Sequence, residues 1–405
     1  MNQLPFGTPF SITAKPAGAA CNLRCKYCYY LEKDKFYAKG ESHLMSSETL
    51  EHFIKEYIAS QPTKNVTFNW HGGEALLRPI EYYRKIISLQ TKYGEGREIS
   101  NTIQTNGTLL NDEWCRFFKK YNWLVGLSID GPKELHDKYR ISRKGSSSFD
   151  AVMRGINFLN KHKVEWNILA TVNAANADYP KETYNFLKHL GTPFIQFTPV
   201  VERLKPDGML ANQSDAEGLL ADFSVTPEKW GSFMCEVFDI WVKYDVGKVY
   251  VQLFDATLAN RVGATPPVCT MAKDCGDALA LEFNGDVYSC DHFVFPEYKL
   301  GNIHRDPFWR LAMNSRQKDF GSAKSSSLPK QCRECPHLWA CHGECPRNRF
   351  VATDEPGKNL NYLCEGYKIF FNHVTPDIEF MKKELEAQRP PANIMQVKRQ
   401  SPGIG

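Results

Sequence analysis

Three cysteines fall within eight residues of this chain, in Cys21-Asn-Leu-Arg-Cys25-Lys-Tyr-Cys28, and eight more lie between Cys269 and Cys364. Of the 13 cysteines only Cys115 and Cys235 stand outside these groups. Clustered thiols in a chain that opens without a basic-then-apolar export signal point to metal rather than to disulfides. Three thiolates on one short loop can hold three irons of a [4Fe–4S] cube and leave the fourth open to a small ligand, which makes the cluster a reaction centre rather than a plain electron carrier. A zinc site short of one ligand is the bland alternative for that loop. The later group reads Cys269-x5-Cys275-x9-Gly285-x4-Cys290, then Cys332-x2-Cys335-x5-Cys341-x3-Cys345, then Cys364. Eight thiolates suit two four-cysteine clusters, although Cys332-x2-Cys335 alone would also serve a zinc ribbon.

The first cysteine loop directly follows an apolar run, Ser11–Ala14. Similar runs recur at Asn65–Trp70, Ile99–Gln104, Trp123–Ile129, Trp166–Val172 and Phe194–Val201. Helical patterns separate them, at Ser47–Ser60, Ile80–Tyr93, Asp112–Tyr121, Phe149–His162 and Tyr179–Leu190; in the first, Leu50, Phe53, Ile54, Tyr57 and Ile58 share one face. This alternation predicts parallel βαβ units. Six are too few for the usual eight-fold closed barrel, and an open barrel and a doubly wound sheet fit the periodicity equally. Polar residues gather at the strand ends: His71, Gly72, Gly73 and Glu74; Thr105, Asn106 and Gly107; Ser128, Asp130 and Gly131. Any one of these groups reads as a turn, but several at the carboxyl edge of a parallel sheet read as a site.

Beyond the repeats, Glu202–Ala221 is expected as an excursion and Pro227–Tyr244 as an aromatic-rich helix. From Val268 short strands, Ala278–Phe283 and Val287–Ser289, precede cysteine-dense loops, a region expected to depend on metal more than on an apolar core. The tail after Ala387, with Pro390-Pro391 and Pro402-Gly403, is expected to be loose. With 405 residues, 42% of them hydrophobic and 24% charged, the chain can bury a full core in two or three domains. No apolar stretch of about 18 residues is present, so a membrane span is excluded and a cytoplasmic protein is expected. The net charge of +4 falls to about −1 once eleven thiolates hold three cluster cores, so it argues for no nucleic-acid partner. Aromatics, 13% of the chain, follow core spacing without basic runs between them. Cys115 and Cys235 sit in helical patterns and read as core, and His136 and His189 as surface or helix-end residues.

Cys-x3-Cys-x-aromatic-Cys after a first strand, with Tyr27 as the aromatic, resembles the signature of radical S-adenosylmethionine (SAM) enzymes. His71-Gly72-Gly73-Glu74 resembles that superfamily's Gly-Gly-Glu motif, whose backbone meets the methionine part of SAM. The resemblance implies an α/β fold, a partial (β/α)6 barrel over residues 11–201. The later cysteine layout resembles the SPASM extension of peptide-modifying radical SAM enzymes. Its interleaved pattern implies Cys269, Cys275, Cys290 and Cys345 for auxiliary cluster I and Cys332, Cys335, Cys341 and Cys364 for auxiliary cluster II. Val287-Tyr-Ser-Cys290-Asp291-His292-Phe293, with Cys28-Tyr29-Tyr30, makes the chain similar to anaerobic sulfatase-maturating enzymes, which oxidise a sulfatase cysteine or serine to Cα-formylglycine. Domains are then expected at 1–225 (barrel), 226–265 (connecting helical segment), 266–380 (SPASM) and 381–405 (tail).

Carried over position by position, the resemblance implies that Tyr27, Gly72, Ser128, Arg140 and Val201 contact SAM. It makes Asp291 the base, with His292, Glu344 and Tyr30 as rivals on residue type alone. The implied cofactors are SAM and three [4Fe–4S] clusters, held by Cys21, Cys25 and Cys28 and by the two auxiliary sets. A 5′-deoxyadenosyl radical would take a Cβ hydrogen, Asp291 the thiol or hydroxyl proton, and auxiliary cluster I the second electron. The implied partners are an unfolded sulfatase segment with Cys/Ser-x-Pro/Ala-x-Arg and a low-potential flavodoxin- or ferredoxin-type donor; a monomer is the default expectation. The alternative among enzymes is a peptide crosslinking radical SAM/SPASM protein, which commonly carries an extra N-terminal recognition domain; only twenty residues precede Cys21. A multi-cluster electron carrier or a zinc-binding interaction protein is the alternative of another class.

Overall fold

A computed structural model describes residues 8–30, 32–37, 42–212, 215 and 217–400; the first seven residues of the opening segment and Pro402-Gly403 lie outside the described residues. The chain divides into two compact units. One comprises Met1–Ser128, Arg140–Trp166 and Cys275–Ala323, the other Ile129–Tyr139, Asn167–Asp274 and Lys324–Gly405.

The predicted strands form within one or two residues of their expected bounds: β1 (Ser11–Ala14), β2 (Asn65–Trp70), β3 (Glu98–Thr105), β4 (Leu124–Ser128), β5 (Glu165–Val172) and β6 (Phe194–Pro199). In the first unit β1 to β4 pair in parallel and in order, with Ala14 opposite Trp70 and Trp70 opposite Ile103. In the second, β6 lies parallel to β5 on one side and to a two-residue strand, β7 (Tyr250–Val251), on the other. The predicted helices appear as Ser47–Ser60, Ile80–Tyr93, Asp112–Lys120, Phe149–His162 and Pro180–Leu187. Ser46 caps the first by accepting from the Thr49 N–H, and Leu50, Phe53, Ile54, Tyr57 and Ile58 are all buried on it.

One pairing was not legible from the βα pattern. Strand β8 (Ala278–Leu281), distant in sequence, lies parallel to β1 on the side away from β2, with Ser11 opposite Ala278 and Ala14 opposite Leu281. An antiparallel return, β9 (Asp286–Tyr288), and then β10 (Lys299–Asn302) continue from it. The turn between β8 and β9 contains Gly285, and β9 runs directly into Ser289 and Cys290.

In the second unit the expected aromatic helix, Pro227–Tyr244, packs against a 23-residue helix, Cys364–Glu386. That helix escapes pattern reading because Pro376 interrupts it. It buries Tyr367, Phe370, Phe371, Val374, Ile378 and Met381, so the cysteine-rich region has more apolar core than its composition suggested. Gln252–Arg261 and Ser315–Ser326 are further helices whose weak apolar periodicity hid them. The excursion after Glu202 contains a small hairpin, Arg203–Leu204 with Leu219–Leu220. Nor is the tail loose as expected: Pro391–Asn393 forms a turn and Ile394–Gln400 a helix on the Pro227–Tyr244 helix. Glu384 ties it down by accepting from Arg389 and Asn393.

Cys115 and Cys235 are buried, as expected of core thiols. His189 is exposed near a helix end, donating to the Asn185 carbonyl. His136 is also a helix-end residue, but it is fully buried rather than at the surface, and its Nδ1 accepts from the Asp130 N–H. The two long helices cross closely at glycine: a Cβ on Gly366 would lie 2.1 Å from the Pro227 carbonyl oxygen. Gly366→Ala is therefore expected to destabilise the protein by about 1–3 kcal/mol, the usual cost of overpacking, and to appear as a lowered thermal midpoint.

Candidate cluster and substrate site

The loop after β1 carries Cys21, Cys25 and Cys28, and the polar strand ends close around it. Gly73 donates its N–H to the Gly18 carbonyl and Glu74 its N–H to the Ala20 carbonyl. The approach is so close that a Cβ on Gly73 would lie 2.1 Å from the Ala20 oxygen. Glu74 itself is fully buried. Its carboxylate accepts from the N–H groups of Leu76 (2.9 Å) and Asn106 (2.8 Å) and from the Thr105 hydroxyl (2.7 Å). Burial still pushes this carboxyl above its ordinary value. Asn106 then reaches the cysteine loop, donating to Asn22 Oδ1 at 2.9 Å and to Cys21 Sγ at 3.8 Å. The Leu23 N–H also meets Cys21 Sγ, at 3.4 Å, and Arg143 donates to the Cys21 carbonyl at 2.7 Å. The ends of β2 and β3 thus grip the loop through one carboxylate and one amide.

Of the five residues expected to meet SAM, four belong to this unit. Tyr27 is buried beneath the Arg140 guanidinium, 5.5 Å from its ring centre. Gly72 has φ +132°, a conformation glycine supplies most readily, and Ser128 accepts from Gln104 at 2.9 Å. Val201 lies in the second unit, buried, and is followed by Glu202, which is ion-paired with Arg347.

Asp291 follows Cys290 directly and opens a short 3₁₀ turn, Asp291–Phe293. Its Oδ1 pairs with the Lys15 ammonium and its Oδ2 accepts from the Tyr29 hydroxyl at 2.7 Å. Lys15, the residue after β1, has a side chain 0% exposed. It also donates to His71 Nδ1 at 3.3 Å, an atom that accepts the Gly72 N–H at 2.8 Å. Accepting from a backbone N–H leaves Nδ1 without a proton, so the neutral ring carries it on Nε2. Burial and the Lys15 charge push His71 down to about 4, in keeping with neutrality. Burial pushes the Asp291 carboxyl up, but the Lys15 ammonium outweighs it and holds the group well below the usual carboxylate range. Tyr29 stacks on His292 with ring centres 4.9 Å apart. Tyr30 donates to the buried Glu282, whose carboxyl burial raises to about 7, and Glu344 accepts from Asn361 in the other unit. Of the rival bases, then, Tyr30 and Glu344 are committed elsewhere.

Lys15, Tyr29 as an Asp291 partner, and Glu282 were not singled out by spacing. A charge closing an apolar strand was the available signal for both Lys15 and Glu282, since each follows residues that are buried in β1 or β8.

In the second unit Cys332, Cys335, Cys341 and Cys364 line one pocket, with His337, Leu338 and Phe371 around them. The spacing alone did not group these four. Four thiols on one pocket suit a four-cysteine cluster. Burial raises Cys21 and Cys364 to about 11 and Cys341 to about 12, so ionised sulfur there needs a positive partner such as iron. Cys275 and Cys290 belong to the first unit and Cys269 and Cys345 to the second. The Cys269 loop is held by Lys324, which donates to the carbonyls of Cys269, Thr270 and Ala272.

The family comparisons agree with this geometry. Residues 16–187 match the radical SAM superfamily and residues 269–336 an iron–sulfur cluster-binding domain, SPASM. The chain is a radical SAM enzyme with an auxiliary-cluster extension, and its cofactors are SAM and [4Fe–4S] clusters. It is 58% identical to a serine-type anaerobic sulfatase-maturating enzyme of Bacteroides thetaiotaomicron, over 96% of this chain and 95% of that one. A cysteine-type enzyme of Clostridium novyi is 34% identical over 93% and 98%. Among solved structures, native anSMEcpe with bound AdoMet superimposes with a TM-score of 0.83 at 30% identity, over 93% of this chain and all of that one. A further structure of that protein holds a peptide. This chain belongs to the anaerobic sulfatase-maturating enzymes, which convert a cysteine or serine to formylglycine by radical SAM chemistry; the crosslinking alternative is not favoured.

Removing one partner of a buried ion pair strands the other charge. Lys15→Met is therefore expected to cost about 3–5 kcal/mol in a denaturant titration, and the double variant Lys15→Met/Asp291→Asn to recover most of that loss.

Proposed function

We propose that this enzyme takes serine as its target, that Asp291 is the base, and that the eleven clustered cysteines are the cluster ligands. The observation that carries the base assignment is Asp291 itself: an ionised carboxylate next to a cluster-type cysteine, with one donor on each oxygen. When bound, SAM and the clusters supply a 5′-deoxyadenosyl radical that removes a Cβ hydrogen and a sink for the second electron. The chain's own residues do the rest. Lys15 and Tyr29 fix the carboxylate so that its remaining lone pairs face a defined direction. A hydroxyl on a radical carbon is far more acidic than an ordinary alcohol, so a carboxylate of low proton affinity suffices to take its proton. Loss of that hydrogen atom, proton and electron turns the serine side chain into the aldehyde, with no added oxygen.

Tyr27, Gly72, Ser128, Arg140 and Val201 are the residues proposed to contact SAM. Cys21, Cys25 and Cys28 would hold its cluster. Cys269, Cys275, Cys290 and Cys345 would hold auxiliary cluster I, and Cys332, Cys335, Cys341 and Cys364 auxiliary cluster II; the shared cavity supports the last set. Serine preference is supported by the 58% identical serine-type relative. The peptide-bound structures support a peptide as substrate, and an extended sulfatase segment with Ser-x-Pro/Ala-x-Arg is the form proposed for it. A flavodoxin- or ferredoxin-type donor, a monomeric state, a cytoplasmic location and domain limits near 225, 265 and 380 complete the reading. Among the described residues no helix is long and apolar enough to cross a membrane.

The test is anaerobic turnover of the reconstituted enzyme with serine and cysteine peptides, trapping the aldehyde for mass spectrometry. The serine peptide is expected to react faster; preference for cysteine would overturn that assignment. Asp291→Asn is expected to lower aldehyde formation by about 10²–10⁴-fold while 5′-deoxyadenosine still forms, and undiminished aldehyde would remove Asp291 from the mechanism.

A further inference from the structure

Between Cys341 and Cys345, His342, Gly343 and Glu344 all have positive φ, 46°, 72° and 51°. Three left-handed residues in succession, two of them with side chains, persist only where their surroundings over-determine them. Arg349 does this. Its Nε donates to the Gly343 carbonyl at 2.9 Å, and its Nη2 to those of His342 and Glu344, both at 3.2 Å. Its Nη1 donates to the Lys324 carbonyl at 2.6 Å and the Ser327 hydroxyl at 3.3 Å. Every acceptor is neutral.

Arg349 is 3% exposed and its guanidinium stays charged, yet no carboxylate among the described residues lies within ion-pair distance of it. The Glu344 side chain, whose own carbonyl the fork binds, accepts from Asn361 and Asn348 instead. A buried cation without a counter-ion is costly. The groups that act on it electrostatically are Cys332, Glu344, Cys345 and Cys341. Gly343, whose carbonyl it binds, lines the same cavity as Cys332, Cys335, Cys341 and Cys364.

We propose that Arg349 is the built-in counter-charge of the cluster held in that cavity, and that it makes this cluster easier to reduce. The inference rests on the cluster reading above. A four-thiolate [4Fe–4S] group is anionic and gains one more negative charge on taking up an electron, so a fixed cation stabilises the reduced form more than the oxidised one. The strap and the charge are one device. The fork that holds residues 342–344 in place fixes its own charge behind Gly343.

The test is an EPR-monitored redox titration with dithionite of the full-length reconstituted chain, with iron and sulfide counted, in a Cys21→Ala/Cys25→Ala/Cys28→Ala background that leaves only the auxiliary sites. Arg349→Gln is expected to make reduction of one auxiliary cluster at least tenfold less favourable, about 59 mV for a one-electron couple, and Arg349→Lys to stay near the parent. Ser327→Asp, at a half-buried position, keeps the fork and neutralises its charge; it is expected to act like Arg349→Gln. Full iron with an unchanged titration in Arg349→Gln would overturn the proposal. Should Arg349→Gln lose the cluster, Ser327→Asp decides: a lowered potential supports the counter-charge and an unchanged one overturns it. Zinc in place of iron and sulfide in the parent would instead overturn the cluster reading on which the proposal rests.

Discussion

A lysine whose side chain is wholly out of water must be neutralised where it stands, and Lys15 at the end of β1 imposes that requirement on everything near it. Its partner Asp291 comes from the far side of the sequence, after Cys290. The pair can form only because β8 lies along β1 in parallel register and β9 turns back to bring Cys290 and Asp291 to the edge at which the Cys21 loop begins. Desolvation of two charges is repaid only when the remaining donors and acceptors are met, and here they are: Tyr29 takes the second carboxylate oxygen and His71 a second ammonium proton. Each satisfying group stands beside cluster or SAM-motif residues. Tyr29 follows Cys28, and His71 precedes Gly72-Gly73-Glu74. One ion pair therefore indexes the cysteine loop, the glycine motif and the proposed base against one another.

The second unit solves a related problem with cations and carbonyls. Cysteine-dense loops have little side-chain apolar surface to pack, so their backbone needs other constraints. Lys324 gathers three carbonyls of the Cys269 loop and Arg349 three carbonyls of the 342–344 segment, and the two are joined because Arg349 also binds the Lys324 carbonyl. A positive donor cluster suits a place where thiolates must assemble, since it lowers the cost of bringing like charges together. The long helix Cys364–Glu386 contributes at its first residue, where unpaired N–H groups also favour anionic sulfur.

The repeating βα units, the placement of the three-cysteine loop after the first strand and the glycine motif after the second were readable because each depends on local spacing. Asp291 was singled out by the family resemblance and not by spacing, which left Tyr30, His292 and Glu344 as rivals. What sequence did not disclose is long-range. Nothing in Ala278–Leu281 says that it pairs with β1, yet that pairing puts Lys15 beside Asp291. Burial of His136 depends on Asp130 reaching back to it, and order in the tail depends on Glu384 accepting from Arg389 and Asn393. Helices such as Ser315–Ser326, polar on most faces, carry no period to read. Tertiary partners, rather than propensity, decide each of these.

The adjacency of Asp291 and Cys290 has an electrostatic consequence. At rest the Lys15 and Asp291 charges cancel. When Asp291 takes the substrate proton, as proposed, its charge vanishes and the Lys15 cation is left unbalanced beside the residue that follows Cys290. With the lysine itself wholly out of water such a charge acts over a few ångströms and favours negative charge at the neighbouring sulfur. Removal of the proton and departure of the electron would then assist one another, each making the other less costly, without either residue having to move. His71 reinforces the effect by staying neutral: a second cation there would have raised the resting cost of Lys15 burial, whereas an acceptor Nδ1 holds the ammonium in place through the change.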